Sequence, residues 1–280
     1  MTPALDLLAR AWRSPQGRGG ALVLVAILLA AAVGPTLLPD PFAQPDVIGD
    51  ANLPPSIAHP FGTDHLSRDV LSRVVTGARI SLAVALLAVA LSMTLGAAVG
   101  LVAGYLGGAA DAALMRLVDG ALAVPRLFLL LLVLAAWETV PAGALILLIG
   151  STGWFATGRI VRGEVLRLRE ESYIRAAEAL GAPGGRIILR HLLPNTLGPL
   201  LVAATLGVGD VILLEAGLSF LGLGIRPPAP SWGGMILDAK AVLVTAPWSG
   251  VFPGLAIVIT VLSANLFGDA LRDAVDPRGA

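Results

Sequence analysis

The chain has 280 residues, of which 56% are apolar and only 14% are charged, and its mean hydropathy is +0.84. Soluble domains carry about a quarter charged residues, so this composition excludes a soluble globular protein and indicates an integral membrane protein. The formal net charge is zero and there is no cysteine. Zero net charge offers no general argument for nucleic-acid binding, and the missing cysteines exclude disulfides and cysteine-ligated metals.

The first predicted elements are a short tail and an uncharged segment long enough to cross a bilayer. Residues 1–18 contain three arginines, and residues 19–39 contain no charge. Since about 20 apolar residues span the hydrocarbon core, we expect the first transmembrane helix at 19–39. A cleaved signal peptide is the alternative, because basic residues precede the apolar run, but the run is long for a signal peptide.

Residues 40–79 are predicted to form a polar, proline-rich loop outside the cell membrane. Charges of alternating sign follow one another there at nearly helical spacing, and this pattern favours a self-paired cap over the helix bundle. These residues are Asp64, Arg68, Asp69 and Arg73. His59 and His65 beside Asp64 are the alternative, a metal site, but their spacing is weak for ligands, so we expect no metal.

Five further spans are expected in a core covering residues 80–268. They are placed at about 80–107, 112–137, 141–160, 197–217 and 249–268. Gly96, Gly100 and Gly104 fall four apart and predict a helix-packing seam. Pro125 predicts a kink in the third span. The fold class is therefore all-α with six transmembrane helices.

Several charged residues lie in or beside these spans. Asp119 is three residues from Arg116 and is expected to pair with it on one helix face. Arg126 follows the predicted kink, and Asp210 and Glu215 lie in the fifth span. Intramembrane charges usually face a bundle interior or a wet cavity. The candidates for a translocation pathway are therefore Asp119, Arg126, Asp210 and Glu215. For Asp210 the alternative is that it pairs with Arg126 or with a backbone donor.

Residues 161–196 interrupt the apolar sequence with a polar segment. Tyr173–Leu180 predicts a helix, Gly181 a helix stop, and Arg186–Leu193 a second helix that Pro194 and Asn195 end. The largest positive cluster of the chain lies in and beside this segment: Arg159, Arg162, Arg167, Arg169, Arg175, Arg186 and Arg190.

The positive-inside rule sets the orientation of the predicted spans. It places the arginine cluster in the cytoplasm. Counting spans from it predicts that both termini, residues 1–18 and 269–280, are cytoplasmic. The same count places the loops 40–79 and 218–248 outside, and Trp232 and Trp248 of the second loop suit a membrane interface.

The sequence contains no motif for binding nucleotide phosphates or for catalysis. There is no GxxxxGK[ST] phosphate-binding loop, and no serine, cysteine or histidine constellation suggests catalysis. We therefore expect a chain that is not an enzyme and binds no cofactor itself. Uphill transport would need a partner or an ion gradient.

Residues 173–195 resemble the cytoplasmic "EAA" loop of the permease subunits of bacterial ABC importers, in which a coupling helix docks on the ATPase. The positions implied in this docking are Arg175, Ala176, Ala177, Gly181, Arg186, His191, Pro194 and Asn195. Arg175 departs from the pattern, because the family often has glutamate there. An ordinary amphipathic pair of interfacial helices is the alternative for this segment alone.

Three more segments carry the same resemblance, to the dipeptide, oligopeptide and nickel branch. FGTDHLSRDVLSRVVTGARISL, with Asp64, Arg68 and Asp69, is similar to its motif before the second span, although Ser67 replaces a glycine. EAGLSFLGLG together with the following PPAPSWG, which contains Trp232, is similar to a second signature, and the closing NLFGDALRDAVDPR is similar to a third. Together the four segments cover the chain from about residue 60 onward.

The resemblance implies a multi-pass subunit of the bacterial inner membrane that forms half of a peptide pathway. It implies a homologous second permease, two ATPase domains that bind ATP and magnesium, and an extracytoplasmic binding protein. The alternative is an ion-coupled transporter using Asp210, Glu215 and Arg126, and a membrane anchor without a pathway is a third interpretation. The sequence does not distinguish dipeptide, oligopeptide or nickel chelate as cargo.

Overall fold

The computed structural model describes residues 3–137 and 140–275 of the chain, and these residues form helices joined by loops. Residues 276–280 of the expected C-terminal tail lie outside the described residues. The helices are α1 (Pro3–Arg13), α2 (Pro15–Leu37), α3 (Val70–Leu106), α4 (Gly108–Leu122), α5 (Arg126–Leu134), α6 (Ala142–Arg169), α7 (Ser172–Ala179), α8 (Gly184–Ile187), α9 (Leu193–Phe220), α10 (Trp232–Ala239) and α11 (Trp248–Val275).

Among the described residues, five helices are long and apolar enough to cross a membrane, and α4 with α5 make a sixth crossing if that bent pair is one span. The five are α2, α3, α6, the continuous segment from α8 to α9, and α11. The prediction of an all-α membrane protein is confirmed.

The third predicted span is broken at Pro125. α4 and α5 meet there at an angle of 77°, and Pro125 itself has an extended backbone before the first turn of α5. Proline has no N–H to donate and clashes with a preceding helical turn. The sequence predicted a kink at this residue, and the structure has a change of direction large enough to separate two helices.

The sequence predicted that the second helix of the polar segment ends at Pro194 and Asn195, but in the structure it continues. α8 continues through a π-helical turn, Ile188–Leu192, directly into α9. Pro194 falls in the first turn of α9, where a missing N–H costs little. The Asn195 side-chain amide donates to the His191 carbonyl at 2.6 Å and provides a donor at this irregular turn.

Two helices extend beyond their apolar runs because the charges at their ends have partners. α3 begins at Val70, ten residues before the predicted span, and carries Arg79 on its first turns. Arg79 donates to the Ala31 and Ala32 carbonyls of α2 at 2.5 and 2.6 Å. α6 continues to Arg169, past the predicted end at residue 160.

The glycine seam predicted on α3 packs against α6. A Cβ atom placed on Gly96 would lie 2.5 Å from the Thr157 Cβ, and one on Gly100 would lie 2.6 Å from the Gly158 carbonyl oxygen. One on Gly104 would lie 2.8 Å from the Val165 Cβ. The absence of side chains therefore allows the two backbones to approach closely, as in other small-residue interfaces.

Gly100→Ala should destabilise the protein by about 1–3 kcal/mol, because its methyl group would overlap α6 in a packed interface. Gly163→Ala is the matched control, since this glycine lies on the same α6 but has open space around it. That substitution should be neutral or stabilising by about 1 kcal/mol through helix propensity. Thermal unfolding of the purified variants in detergent measures both, and equal effects would contradict the seam.

Candidate coupling and translocation sites

The polar segment after α6 forms a helix, a tight turn and a second helix. α7 ends at Leu180, and Gly181 takes a left-handed backbone with φ +76°. The Gly181 N–H donates to the Glu178 carbonyl at 2.9 Å, and the Ala182 N–H to the Ala177 carbonyl at 3.0 Å. This is the Schellman pattern that glycine favours, and it sets a fixed angle between α7 and α8.

Both helices of this turn are anchored by buried isoleucines. Ile174 on α7 and Ile187 on α8 are completely buried and pack in one cluster with Val165 and Leu168 of α6 and Leu192. The segment is therefore held rigidly on the end of α6 and α9, although its outer surface is exposed.

The exposed surface of the turn carries most of the residues that the resemblance selected. Arg175, Ala176, Gly181 and Arg186 are exposed, and Ala177 is half-buried. Three others lie farther along, in the π-helical turn and at the start of α9: His191 and Pro194 are half-buried, and Asn195 is exposed.

Leu180 is the residue of this surface that sequence reasoning missed. Its side chain is 88% exposed at the tip of the turn. Its position directly before the helix-ending glycine was the signal that could have identified it. Arg175, at the position where the resembled family often has glutamate, pairs with Glu170. Both side chains of that pair are exposed, so it contributes little to stability.

At the opposite end of the bundle, a buried charge cluster joins the first loop to α10. The Asp64 carboxylate accepts from the Arg68 Nε at 2.7 Å and lies 3.4 Å from the Arg73 Nε. The two arginines lie 3.5 and 3.4 Å from Asp238 Oδ2. Asp238 was missed by sequence reasoning, since no local pattern links it to residues 165 positions earlier.

These charges pair with one another, as the sequence predicted, although residues 64–69 form a turn and not a helix. Asp64 accepts the backbone N–H groups of Leu66 and Arg68 at 2.9 and 3.0 Å. Asp69 caps α3 by accepting the Ser72 N–H at 2.7 Å. His59 contacts Asp69 at 2.9 Å, and within residues 3–137 and 140–275 no group of three metal-ligating side chains is found.

The sequence predicted Trp232 at a membrane interface, but the structure buries it. Its side chain is 1% exposed, and its indole Nε1 donates to the Val74 carbonyl at 2.9 Å. Its backbone N–H donates to the Ser81 hydroxyl at 3.2 Å. The start of α10 is therefore inserted against α3.

Glu215 lies in α9 and is completely buried, so it does not line an exposed surface of this bundle. Its carboxyl oxygens accept from the Ser219 hydroxyl at 2.7 Å and the Ser81 hydroxyl at 3.2 Å. The Ser231 hydroxyl lies 3.4 Å from that of Ser219. A buried polar group needs such partners, so Glu215 links α9, α3 and the start of α10.

Arg126 and Asp210 are on different helices and do not form the ion pair that the sequence allowed. Arg126 is half-buried and donates to the Thr152 hydroxyl at 3.1 Å and to the Ile149 carbonyl of α6. Asp210 lies in the second half of α9. Its side chain is exposed on α9, so of the predicted intramembrane acids it is the one left on a surface of the bundle.

Asp119 pairs with a different arginine from the one predicted. Its carboxylate contacts the Arg159 guanidinium of α6 at 2.5 Å instead of Arg116. The break at Pro125 turns α4 so that this face meets α6. Asp119 is therefore part of a contact between two helices and is separate from Asp210.

Comparison with known proteins assigns the chain to a transport family. Residues 96–279 match the family described as "binding-protein-dependent transport system inner membrane component". The chain belongs to this family. The match begins at the glycine seam of α3 and includes the polar segment of residues 161–196, together with Asp210 and Glu215.

Relatives of this inner membrane component are named as peptide permeases. A dipeptide transport system permease protein, DppC, from Alkalihalophilus pseudofirmus is 42% identical over 92% of this chain and 84% of its own. A putative peptide permease from Brucella suis is 44% identical, covering 92% and 86%. The oligopeptide permease OppC of Bacillus subtilis is 39% identical, covering 92% and 84%.

Ser67→Gly should stabilise the protein by about 1 kcal/mol. Ser67 has a left-handed backbone with φ +59°, which costs a non-glycine residue about 1–2 kcal/mol. Its buried hydroxyl also lacks a partner in the structure. Thermal unfolding measures the change. Ser67→Ala is the control, because it removes the unpartnered hydroxyl but keeps a side chain on the left-handed backbone, and it should stabilise the protein less. A less stable Ser67→Gly variant would contradict the argument.

Glu215→Leu should destabilise the protein by about 1–3 kcal/mol, because the buried Ser81 and Ser219 hydroxyls would lose their acceptor. Glu215→Gln keeps an acceptor of the same shape and should have a much smaller effect. Thermal unfolding of the two variants separates these outcomes. If leucine were tolerated as well as glutamine, the carboxyl would not hold the three elements together.

Proposed function

We propose that this chain is the permease subunit of an ATP-driven importer of di- or oligopeptides, in which it forms half of the translocation pathway. The observation that carries the proposal is the rigid, exposed turn after α6 in a chain of this transport family. The names of the relatives supply the cargo class, since those proteins are peptide permeases. The chain itself would not be an enzyme.

The proposed orientation has the coupling segment and both termini in the cytoplasm of a bacterium. The seven arginines of residues 159–190 support it through the positive-inside rule. A cavity of about 710 Å³ also supports it, since α1, the start of α9 and the end of α11 line it together. Elements from the two ends of the chain therefore meet beside the coupling segment. Loops 40–69 and 221–247 would then face outside the inner membrane.

Energy would come from partners that dock on the exposed turn. We propose that two ATPase domains bind ATP and magnesium and receive the tip around Ala176, Leu180 and Gly181. Because Ile174 and Ile187 fix the turn to α6 and α9, a displacement of the tip would be transmitted to these helices. An ATPase state can shift the bundle between two packings only if it binds them with different free energies.

A homologous second permease and an extracytoplasmic binding protein would complete the importer. We propose that Asp210 contacts the cargo within the membrane, together with Arg126, which α6 holds in place. The side chain of Asp210 is exposed on the isolated bundle. Glu215, which is buried among serine hydroxyls, is not part of this proposed contact. A relay of Asp210, Glu215 and Arg126 in an ion-coupled transporter is disfavoured for the same reason, since serine hydroxyls enclose Glu215.

Leu180→Asp should abolish ATPase recovery when the tagged chain is purified from detergent-solubilised native membranes. A charge at the exposed apolar tip would be desolvated on docking and left without a partner. Mass spectrometry of the purified material measures the ATPase and the second permease. We expect both with the unmodified chain, and only the second permease with Leu180→Asp.

Val244→Asp is the matched control, because this residue is 97% exposed and apolar but lies before α11, on the side away from α7. It should leave ATPase recovery unchanged. Purification of the unmodified chain alone, with neither ATPase nor second permease, would overturn the importer function. Equal loss in both variants would instead overturn the docking position.

A further inference from the structure

A small cavity of about 230 Å³ lies at the proposed outer end of the bundle, under the loop that joins α9 to α10. α3 contributes Arg73 to its wall, and the end of α9 contributes Ser219. The loop contributes Arg226 and Ala229, and α10 contributes Asp238. Its lining includes neither the exposed turn after α6 nor Asp210.

The cavity is positively charged, although the charge cluster beside it is nearly balanced. Two arginines and one aspartate are among its lining residues, which leaves one positive charge. Including Arg68 and Asp64, which pair with these groups, three arginines face two aspartates, and the excess remains one. Arg226 is the exposed member, and it makes no ion pair within the described ranges.

Arg73, in the wall of this cavity, has one guanidinium nitrogen without a partner. Its side chain is 3% exposed, and its Nη1 has no hydrogen-bond partner in the structure. Its other contacts are long, at 3.4 Å to Asp64 and 3.4 Å to Asp238. A buried guanidinium donor without an acceptor is costly, so an added anion beside Arg73 would be stabilised.

We infer that this cavity binds the terminal carboxylate of the peptide cargo, between Arg226 at its rim and Arg73 in its wall. Arginine is suited to carboxylates because its planar N–H groups can bind both oxygens. The volume is smaller than that of a typical pocket for a drug-sized ligand, about 300–1,000 Å³. It therefore suits one end of a peptide and not a whole oligopeptide.

This inference rests on the proposed function and adds a rule for cargo recognition. Every unmodified peptide has a terminal carboxylate, whatever its sequence. A site that binds this group would accept many peptides, because it ignores their side chains. It would reject peptides whose terminus is amidated, since an amide has no charge to offset Arg226.

The test measures peptide binding to the assembled permease–ATPase complex in lipid nanodiscs, without the binding protein. The probes are glycylglycine and its C-terminal amide, and isothermal titration or saturation-transfer NMR gives the affinities. We expect the acid to bind about tenfold or more tightly than the amide, the usual effect of hydrogen bonds to charged groups.

Variants assign the effect to the cavity. Arg226→Gln should remove the preference for the acid, and Arg226→Lys should keep part of it. Ala229→Trp should abolish binding by filling the cavity without changing its charge. Lys240→Gln is the matched control, since Lys240 is an exposed cation near the end of α10 but outside the lining, and should bind as the unmodified complex does. Thermal unfolding verifies that each variant is folded.

Equal binding of acid and amide, or an unchanged preference in Arg226→Gln, would overturn the inference. It would also be overturned if Arg226→Gln weakened only the affinity for the binding protein, since an acidic side chain of that protein would then be the occupant. Peptide uptake by the unmodified complex and binding protein in proteoliposomes is measured separately. Failure of that uptake would count against the proposed function, whereas uptake without acid preference would reject the inference alone.

Discussion

Polar groups buried in an apolar helix bundle must find partners within the protein, because lipid offers none. At one end of this chain that requirement joins segments far apart in sequence. Glu215 of α9 accepts from Ser81 of α3, and Ser81 in turn accepts from the backbone of Trp232. Arg73 and Asp238 connect the same helices a short distance away. The arrangement of α3, α9 and α10 depends on these contacts.

The two ends of the bundle are built differently, and each construction fits a different task. At the end that carries α10, tryptophan and charged side chains are turned inward, and the structure closes over Glu215. At the other end, apolar side chains hold α7 and α8 from beneath while Leu180 points away from the chain. A fixed turn with an exposed apolar tip can transmit the position of a docked partner to α6 and α9.

Much of this architecture was predictable from the sequence, and the errors have identifiable causes. Uncharged runs located the spans, because length and hydropathy are local properties. Helix ends were misplaced where a charge had a distant partner, as for Arg79 on α3 with the carbonyls of α2. Pro194 was expected to stop a helix, but a π-helical turn allows the chain to continue through it.

The sequence by itself determined the membrane class, the helical content, the glycine seam and the turn at Gly181. Each follows from composition or from the backbone preferences of neighbouring residues. Only the tertiary structure decided that Glu215 is buried, that Asp119 pairs with Arg159, and that Asp238 belongs with Arg73. Asp119 and Arg159 lie 40 residues apart along the chain, and Arg73 and Asp238 lie 165 residues apart. No local pattern encodes which distant side chain will satisfy a buried charge.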